Sequence, residues 1–576
     1  MSSQSSSPSL FLVTVAFAGS RHLLHPLIHW GLLLNQPKES RKEREIEVSK
    51  NDATTTMMMM TTYSSWLWRV LCLLPVLMTV GVQGSSFLFN LNDDPNEKTM
   101  LDPSDLPNVE MYNKLVERSA YWASIVTPAE AGDTSDKKVV WKEKQGVVSW
   151  ATNVDFAVPE IPQKYAHSNA PHIVFVLVDD WGWNDVGYRS TSMAWTTPTI
   201  DKLANEGVKL ENYFTAYSCI PARGALLTGR YPIRLGLWAA GEGAELPLTE
   251  ITLAQELKSA GYQTYMVGKW HLGFSTAQHT PSNRGFDWSY TYWNGAIDYW
   301  TKQYGFYNDL HFGDDLVTDA EELNSEVHNG YLMQTKAELA IAEHATTYPD
   351  KPMFLYYAMQ LIHGVWSAPQ SYKDRCGMPT TIADPTSQDV TYNYCALNVM
   401  LDEAVANLTC ALEMHGMADN TVLVLVSDNG GEASVKGNSY PFLGNKGSYF
   451  RGGMSGTGFI HSKLLPESVR GQKYEGQMHV TDWLPTLMGL ATGNEWSGSL
   501  FGAELDGVDQ WNAISNAGST VDNGWLGTAP LVPSPRSEIV HYHDGKVVSS
   551  VQIDMWYVTT TLVCLNMLGS WMLTLS

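Results

Sequence analysis

The sequence predicts an α/β domain built on a large, mostly parallel sheet between helices, and three observations predict it. Short apolar runs recur with helical segments between them. The runs are continuously apolar rather than alternating, which marks strands covered on both faces. Polar residues able to do chemistry repeatedly follow the last apolar one, and ligands collect at the carboxyl ends of such strands.

The first run, His172–Val178, ends in Asp179-Asp180. Two adjacent carboxylates at the end of a buried strand are costly unless something neutralises them. A divalent cation would do so; a solvated Asp-Asp-Trp-Gly turn is the plainer alternative. A helix at Pro198–Glu206 leads to Ser218-Cys219-Ile220-Pro221-Ala222-Arg223 and a further apolar run. Pro221 suits a first helical turn, which puts Cys219 near unpaired amides and Arg223 on the same face. A helix over 253–260, stopped by Gly261, precedes a strand over 263–267 and then Gly268-Lys269-Trp270-His271. Residues 281–287 and 292–299 read as aromatic loops. The run Met353–Met359 ends in Gln360-Leu361-Ile362-His363. A long helix over 394–415 carries Asn407-Leu408-Thr409, a glycosylation acceptor pattern. A strand over 421–426 ends in Ser427-Asp428-Asn429; a Gly-rich loop with Lys446 and Arg451 and a helix over 481–491 complete this part.

Composition bounds the partners. Thirty-seven basic residues face 60 acidic ones, a net charge of −23, which argues against nucleic acid. An anionic substrate would need a local attraction, from a metal or clustered cations. Six cysteines are too few for a disulfide scaffold, but Cys376 and Cys395 flank a polar loop and could form one bridge. Asp179, Asp180, Asp428 and Asn429 are all oxygen donors, which suits Ca²⁺ or Mg²⁺ better than zinc. A thiolate from Cys219 fits poorly beside a hard cation. Cys219 is therefore either away from the metal or no longer a cysteine.

Five motifs in order carry a family resemblance. They are Cys219-Ile-Pro-Ala-Arg-Gly-Ala-Leu-Leu-Thr-Gly-Arg230, Asp179-Asp-Trp-Gly-Trp-Asn-Asp185, Gly268-Lys-Trp-His-Leu-Gly273, Arg284-Gly-Phe-Asp287 and Ser427-Asp-Asn-Gly-Gly431. The chain resembles the formylglycine-dependent sulfatases of the alkaline phosphatase superfamily. Residues 479–486 and 533–538 resemble the arylsulfatase B (N-acetylgalactosamine-4-sulfatase) branch of that family in particular. The resemblance covers residues 170–554. It implies an alkaline-phosphatase-like fold with a smaller C-terminal antiparallel subdomain. It also implies hydrolysis of sulfate esters, of sulfated carbohydrates or aryl sulfates, in the secretory pathway, secreted or lysosomal.

The resemblance further implies that a formylglycine-generating enzyme oxidises Cys219, whose hydrated aldehyde is an oxygen nucleophile. Asp179, Asp180, Asp428 and Asn429 would bind Ca²⁺ with an oxygen of residue 219. Arg223 and Lys269 would hold the diol, and His271 would serve its second hydroxyl. Lys446 and His363 would contact the sulfate, with His363 protonating the leaving alcohol. Within the family pattern an arginine is replaced by Leu443 and a glutamate by Arg451, which alters the pocket wall. Alternatives are an inactive sulfated-glycan binder and a phosphoester or phosphonate hydrolase of the same superfamily.

The chain ends are unusual. Residues 1–56 form a leader of doubtful status. From Met57, Arg69 precedes the apolar run 70–82 and the small residues Gly84-Ser85-Ser86, the plan of a signal peptide over 57–84. Residues 85–168 contain Leu88–Lys98 and a helical pattern from Val109 that resemble a sulfatase's C-terminal tail, then a polar linker at 132–138. The catalytic domain is expected over 169–495 and the C-terminal subdomain over 496–576. Three arrangements account for the early tail: a circular permutation with that piece docking onto 496–556, a joint between tandem units, or a chain misread at both ends. The last two are preferred, because the signal peptide and the uncharged stub 557–576 would be odd company for a permuted tail. A membrane anchor at 555–576 is not expected, since its start is β-like.

Overall fold

Continuous apolar runs become the middle of a ten-stranded sheet in the computed structural model of the chain. That structure describes residues 85–90, separate positions from 97 to 118, 161–165 and most of 169–561. Gaps within the last stretch are 238–243, 365–366, 378–389, 501, 523–527, 544–548 and 554–555. The leader, the signal peptide, the linker at 132–138 and residues 562–576 lie outside the described residues.

The strands of the two larger sheets are β1 (Ser85–Asn90), β2 (His172–Val178), β3 (Val208–Phe214), β4 (Gln263–Lys269), β5 (Trp288–Tyr292), β6 (His311–Phe312) and β7 (Asp315–Leu316). They continue with β8 (Met353–Met359), β9 (Thr421–Ser427), β10 (Gly458–His461), β11 (Lys473–His479), β12 (Glu538–His543), β13 (Ser549–Ile553) and β14 (Trp556–Thr561). The large sheet runs β11-β3-β10-β9-β2-β8-β4-β5-β6-β7. Its centre, β9-β2-β8-β4-β5, is parallel throughout. The antiparallel pairings involve β10 and the short β6–β7 end.

Because side chains alternate along a strand, β2 feeds two cores. Ile173, Phe175 and Leu177 join one, with residues from helices α2 (Cys219–Thr228), α3 (Leu253–Ser259) and α7 (Trp483–Thr492). Val174, Val176 and Val178 join the other, with α1 (Pro198–Glu206), α4 (Asn329–Thr347) and α5 (Val390–Met414). The short α6 (Arg451–Met454) follows the Gly-rich loop. Helix α5 is apolar enough to pass for a membrane span, but most of it is buried in the second core. It starts at Val390, ahead of the expected 394, and Cys395 in its first turns is bonded to Cys376.

Two expectations shift. β4 continues through Gly268 and Lys269 rather than stopping at 267. Between the two aromatic loops lies a full strand, β5, paired in parallel with β4. A second, four-stranded antiparallel sheet runs β1-β14-β13-β12, so residues 85–90 pair with the far end of the chain.

Candidate active site

The carboxyl ends of β2, β4, β8 and β9 and the start of α2 meet at one place. Asp179 and Asp180 follow β2, Lys269 ends β4, His363 lies just beyond β8, and Asp428 and Asn429 follow β9. Cys219 opens α2 and Arg223 is one turn further on. Asp179, Arg223, Lys269, Asp428 and Asn429 are fully buried, and Asp180 and Cys219 nearly so.

Charge is paired tightly. Lys269 Nζ donates to Asp179 Oδ2 at 2.7 Å. Arg223 donates to Asp428 Oδ2 at 2.8 Å and lies 3.4 Å from Asp179 Oδ1. Lys446 Nζ donates to Asp180 Oδ2 at 2.7 Å, and His363 Nε2 is 3.6 Å from the same oxygen. The Asp180 N–H donates to Asp428 Oδ1, and Asn429 Nδ2 to Asp180 Oδ1. Cys219 Sγ stands 3.5 Å from Asp179 Oδ1 and 4.0 Å from Asp180 Oδ1. Asp180 and His271 both hold positive φ, 62° and 55°, rare for non-glycine residues and concentrated at functional sites.

The electrostatics follow from burial and these partners. Burial alone would raise the Asp179 carboxyl, but Lys269, His363 and Arg223 outweigh it and hold it well below the usual carboxylate range. Burial and the Asp179 charge push Asp428 the other way. Burial pushes the Cys219 thiol up to about 12, so as a thiol it stays protonated and is a weak nucleophile. Burial and the nearby Lys269 and Arg223 charges hold the His271 imidazole well below its ordinary value, and its Nδ1 is buried without a partner. Burial also lowers His363.

The donors suit a hard divalent cation. Asp179, Asp180, Cys219 and His363 can each turn one ligand atom to within 4.8 Å of the others. Asn429 Oδ1 is buried with no hydrogen-bond partner, which leaves an oxygen free to ligate.

Two further residues shape the site without a clear signal in the sequence. Asp185 Oδ2 accepts from Gly182 N–H, Asn438 N–H and Tyr394 O–H at 2.9, 2.9 and 2.6 Å, which ties the Asp179–Asp180 turn to the loop bearing Lys446. Asp185 lies in a quoted motif but looks like another surface acid. Gly295 lies under the imidazole; a Cβ there would come 2.8 Å from His271 Cε1. Nothing in the local sequence marks that contact.

A family model described as sulfatase matches residues 171–493. Arylsulfatase J of Mus musculus is 36% identical over 390 residues, covering 66% of this chain and 59% of that protein. Arylsulfatase A of Homo sapiens is 29% identical over 371 residues, with 60% and 68% covered. The chain thus spans 59% of arylsulfatase J's length. Among solved structures, Ps i-CgsB in complex with k-i-k-neocarrahexaose shares the fold with a TM-score of 0.55 at 23% identity, over 68% of this chain and 84% of that one. A sulfatase from Pseudoalteromonas sp. gives 0.52 at 23% identity, over 67% and 77%.

Proposed function

The chain belongs to the sulfatase family, and we propose that it hydrolyses sulfate esters of sulfated carbohydrates, using a nucleophile made from Cys219 and a bound Ca²⁺. One observation carries this reading. The buried sulfur of Cys219 stands beside Asp179 and Asp180, inside a ring of Arg223, Lys269 and Lys446. A protonated thiol has little use there, whereas an oxygen nucleophile between cations and carboxylates does.

Asp179, Asp180, Asp428 and Asn429 would hold the cation. Oxidised to formylglycine, residue 219 would supply a diol oxygen to attack sulfur and an aldehyde-forming exit for sulfate, with Ca²⁺ neutralising charge on the sulfate oxygens. Arg223 and Lys269 fix the neighbouring carboxylates and hence the direction in which residue 219 points. Neutral His271 has a partnerless Nδ1 and can take the proton of the second hydroxyl. Lys446 binds the anionic group and orients it. Burial lowers the basicity of His363; the negative charge of an arriving sulfate would raise it, so that His363 would take up a proton from solvent and pass it to the leaving oxygen.

The substrate class follows by analogy. Ps i-CgsB was solved with a neocarrahexaose, and BT4656 with D-glucosamine-2-N,6-O-disulfate. Maturation by a formylglycine-generating enzyme puts the chain in the secretory pathway, secreted or lysosomal. The Cys376–Cys395 bridge supports an oxidising compartment, and Asn407, half-buried on α5, would carry a glycan there.

Mass spectrometry of the tryptic peptide bearing residue 219 tests the reading. Protein made with the maturing enzyme should show formylglycine, and Cys219→Ala should abolish aryl sulfate hydrolysis. Unmodified cysteine alone, or a fully active Cys219→Ala variant, would sink it.

A further inference from the structure

The described residues of the early tail, Ser85–Asn90, Glu97 and Arg118, touch the C-terminal sheet and the loop beside the active site. β1 pairs antiparallel with β14 in six residue pairs, from Ser85 with Thr561 to Asn90 with Trp556. Arg118 grips Glu538 with two hydrogen bonds of 2.6 and 2.8 Å, and Glu538 begins β12 on the far side of the same sheet. Between these anchors, Glu97 is 3% exposed. A buried carboxylate is costly without partners, and both its oxygens accept the Arg451 N–H, at 3.0 and 2.8 Å.

Arg451 opens α6, and the loop bearing Lys446 is folded onto α6. Gly452 N–H donates to the Leu443 carbonyl at 2.7 Å, and Gly430 N–H to the Gly453 carbonyl at 2.9 Å. Gly430 follows Asn429 directly. The fit leaves no slack, since a Cβ on Gly452 would meet the Gly444 carbonyl at 2.3 Å. The Arg451 guanidinium adds a second tie, stacked 4.1 Å over Phe442 and bonded to Asn212 Oδ1 at 2.8 Å. Contacts therefore run from Glu97 through α6 to Leu443 and Gly444 in the loop that carries Lys446 on one side, and to Gly430 beside Asn429 on the other.

We propose that the described residues between 85 and 118 complete the catalytic unit of their own chain, and that Glu97 is a positioning residue for the loop carrying Lys446. The docking stands on geometry alone. The role of Glu97 rests on the sulfatase reading of Lys446.

Two experiments on the full chain test the two halves. A specific-protease site placed within 132–138 cuts the linker after folding. The N-terminal fragment should then co-elute with the remainder on gel filtration and separate only in denaturant; elution apart under native conditions overturns the docking. For Glu97, the Glu97→Ala variant should raise the KM for an aryl sulfate roughly tenfold while kcat stays within about twofold. Glu97→Gln should recover most of that loss, because its amide oxygen still accepts the Arg451 N–H. An unchanged KM in correctly folded Glu97→Ala protein overturns the positioning role. If the unaltered protein hydrolyses no sulfate ester, amide exchange of residues 440–454 reads the same contact. It should quicken in Glu97→Ala and not in Glu97→Gln, and equal exchange in all three overturns the role.

Discussion

At the scale of single residues, the site depends on groups that touch no substrate. Gly295 is the plainest. Its missing Cβ leaves room for the His271 ring, so Gly295→Ala should displace the imidazole and lower kcat/KM on an aryl sulfate by roughly 10- to 100-fold, with little change in melting temperature. Asp185 makes a different prediction. Burial pushes its carboxyl from the ordinary 3.8 up to about 7. Between those values the folded protein holds a proton that the unfolded chain has released. Its contribution to stability is therefore complete below about pH 4 and is lost as the pH rises through 7. Asp185→Asn keeps a side-chain oxygen for the loop amides and should flatten the melting temperature between pH 4 and 8. The sequence named Asp179, Asp180, Lys269 and Asp428 because each closely follows an apolar run, and Arg223 and Lys446 through the motif and the Gly-rich loop that carry them. It was silent on Gly295, whose importance exists only where two distant loops meet.

At the scale of elements, the strands buried on both faces were legible and the half-polar ones were not. β2, β8 and β9 are nearly all aliphatic or aromatic. β3 reads Val-Lys-Leu-Glu-Asn-Tyr-Phe and β11 reads Lys-Tyr-Glu-Gly-Gln-Met-His, patterns that suit loops equally well. Both lie near the β11 edge of the sheet, where one side can face water. The extension of β4 through Gly268 and Lys269 was hidden for another reason. Gly268 has φ 102°, and a Cβ there would meet the Ala358 carbonyl at 2.0 Å. Glycine usually ends a strand; here it lets β4 stay against β8 while carrying Lys269 into the site. Gly268→Ala should therefore cost on the order of 3 kcal/mol, from strained φ and lost pairing together. Thermal denaturation would show the loss, and a change below about 0.5 kcal/mol would refute it.

At the scale of the molecule, the unanswered charge question concerns the cation. Three buried carboxylates and an unpartnered amide oxygen meet only in the folded chain, so a cation bound there should stabilise the native state by mass action. A hundredfold excess of Ca²⁺ over its Kd adds about 2.7 kcal/mol. Chelation should lower the melting temperature and abolish sulfatase activity, and Ca²⁺ should restore both. An unchanged melting temperature across a Ca²⁺ titration would count against the assignment of Asp179, Asp180, Asp428 and Asn429.

Sequence alone determined the class of sheet, the family and most of the residues that the fold gathers at one place, because continuous apolar runs and short motifs are local. It also flagged residues 85–168 as carrying a tail out of place. Only the tertiary structure decided how Asp180, Lys446 and His363 share one oxygen, and that β1 closes the sheet begun by β12. Both depend on contacts between residues hundreds of positions apart, such as Glu97 with Arg451. Backbone pairing and buried charge select such partners by geometry, and no local pattern records them.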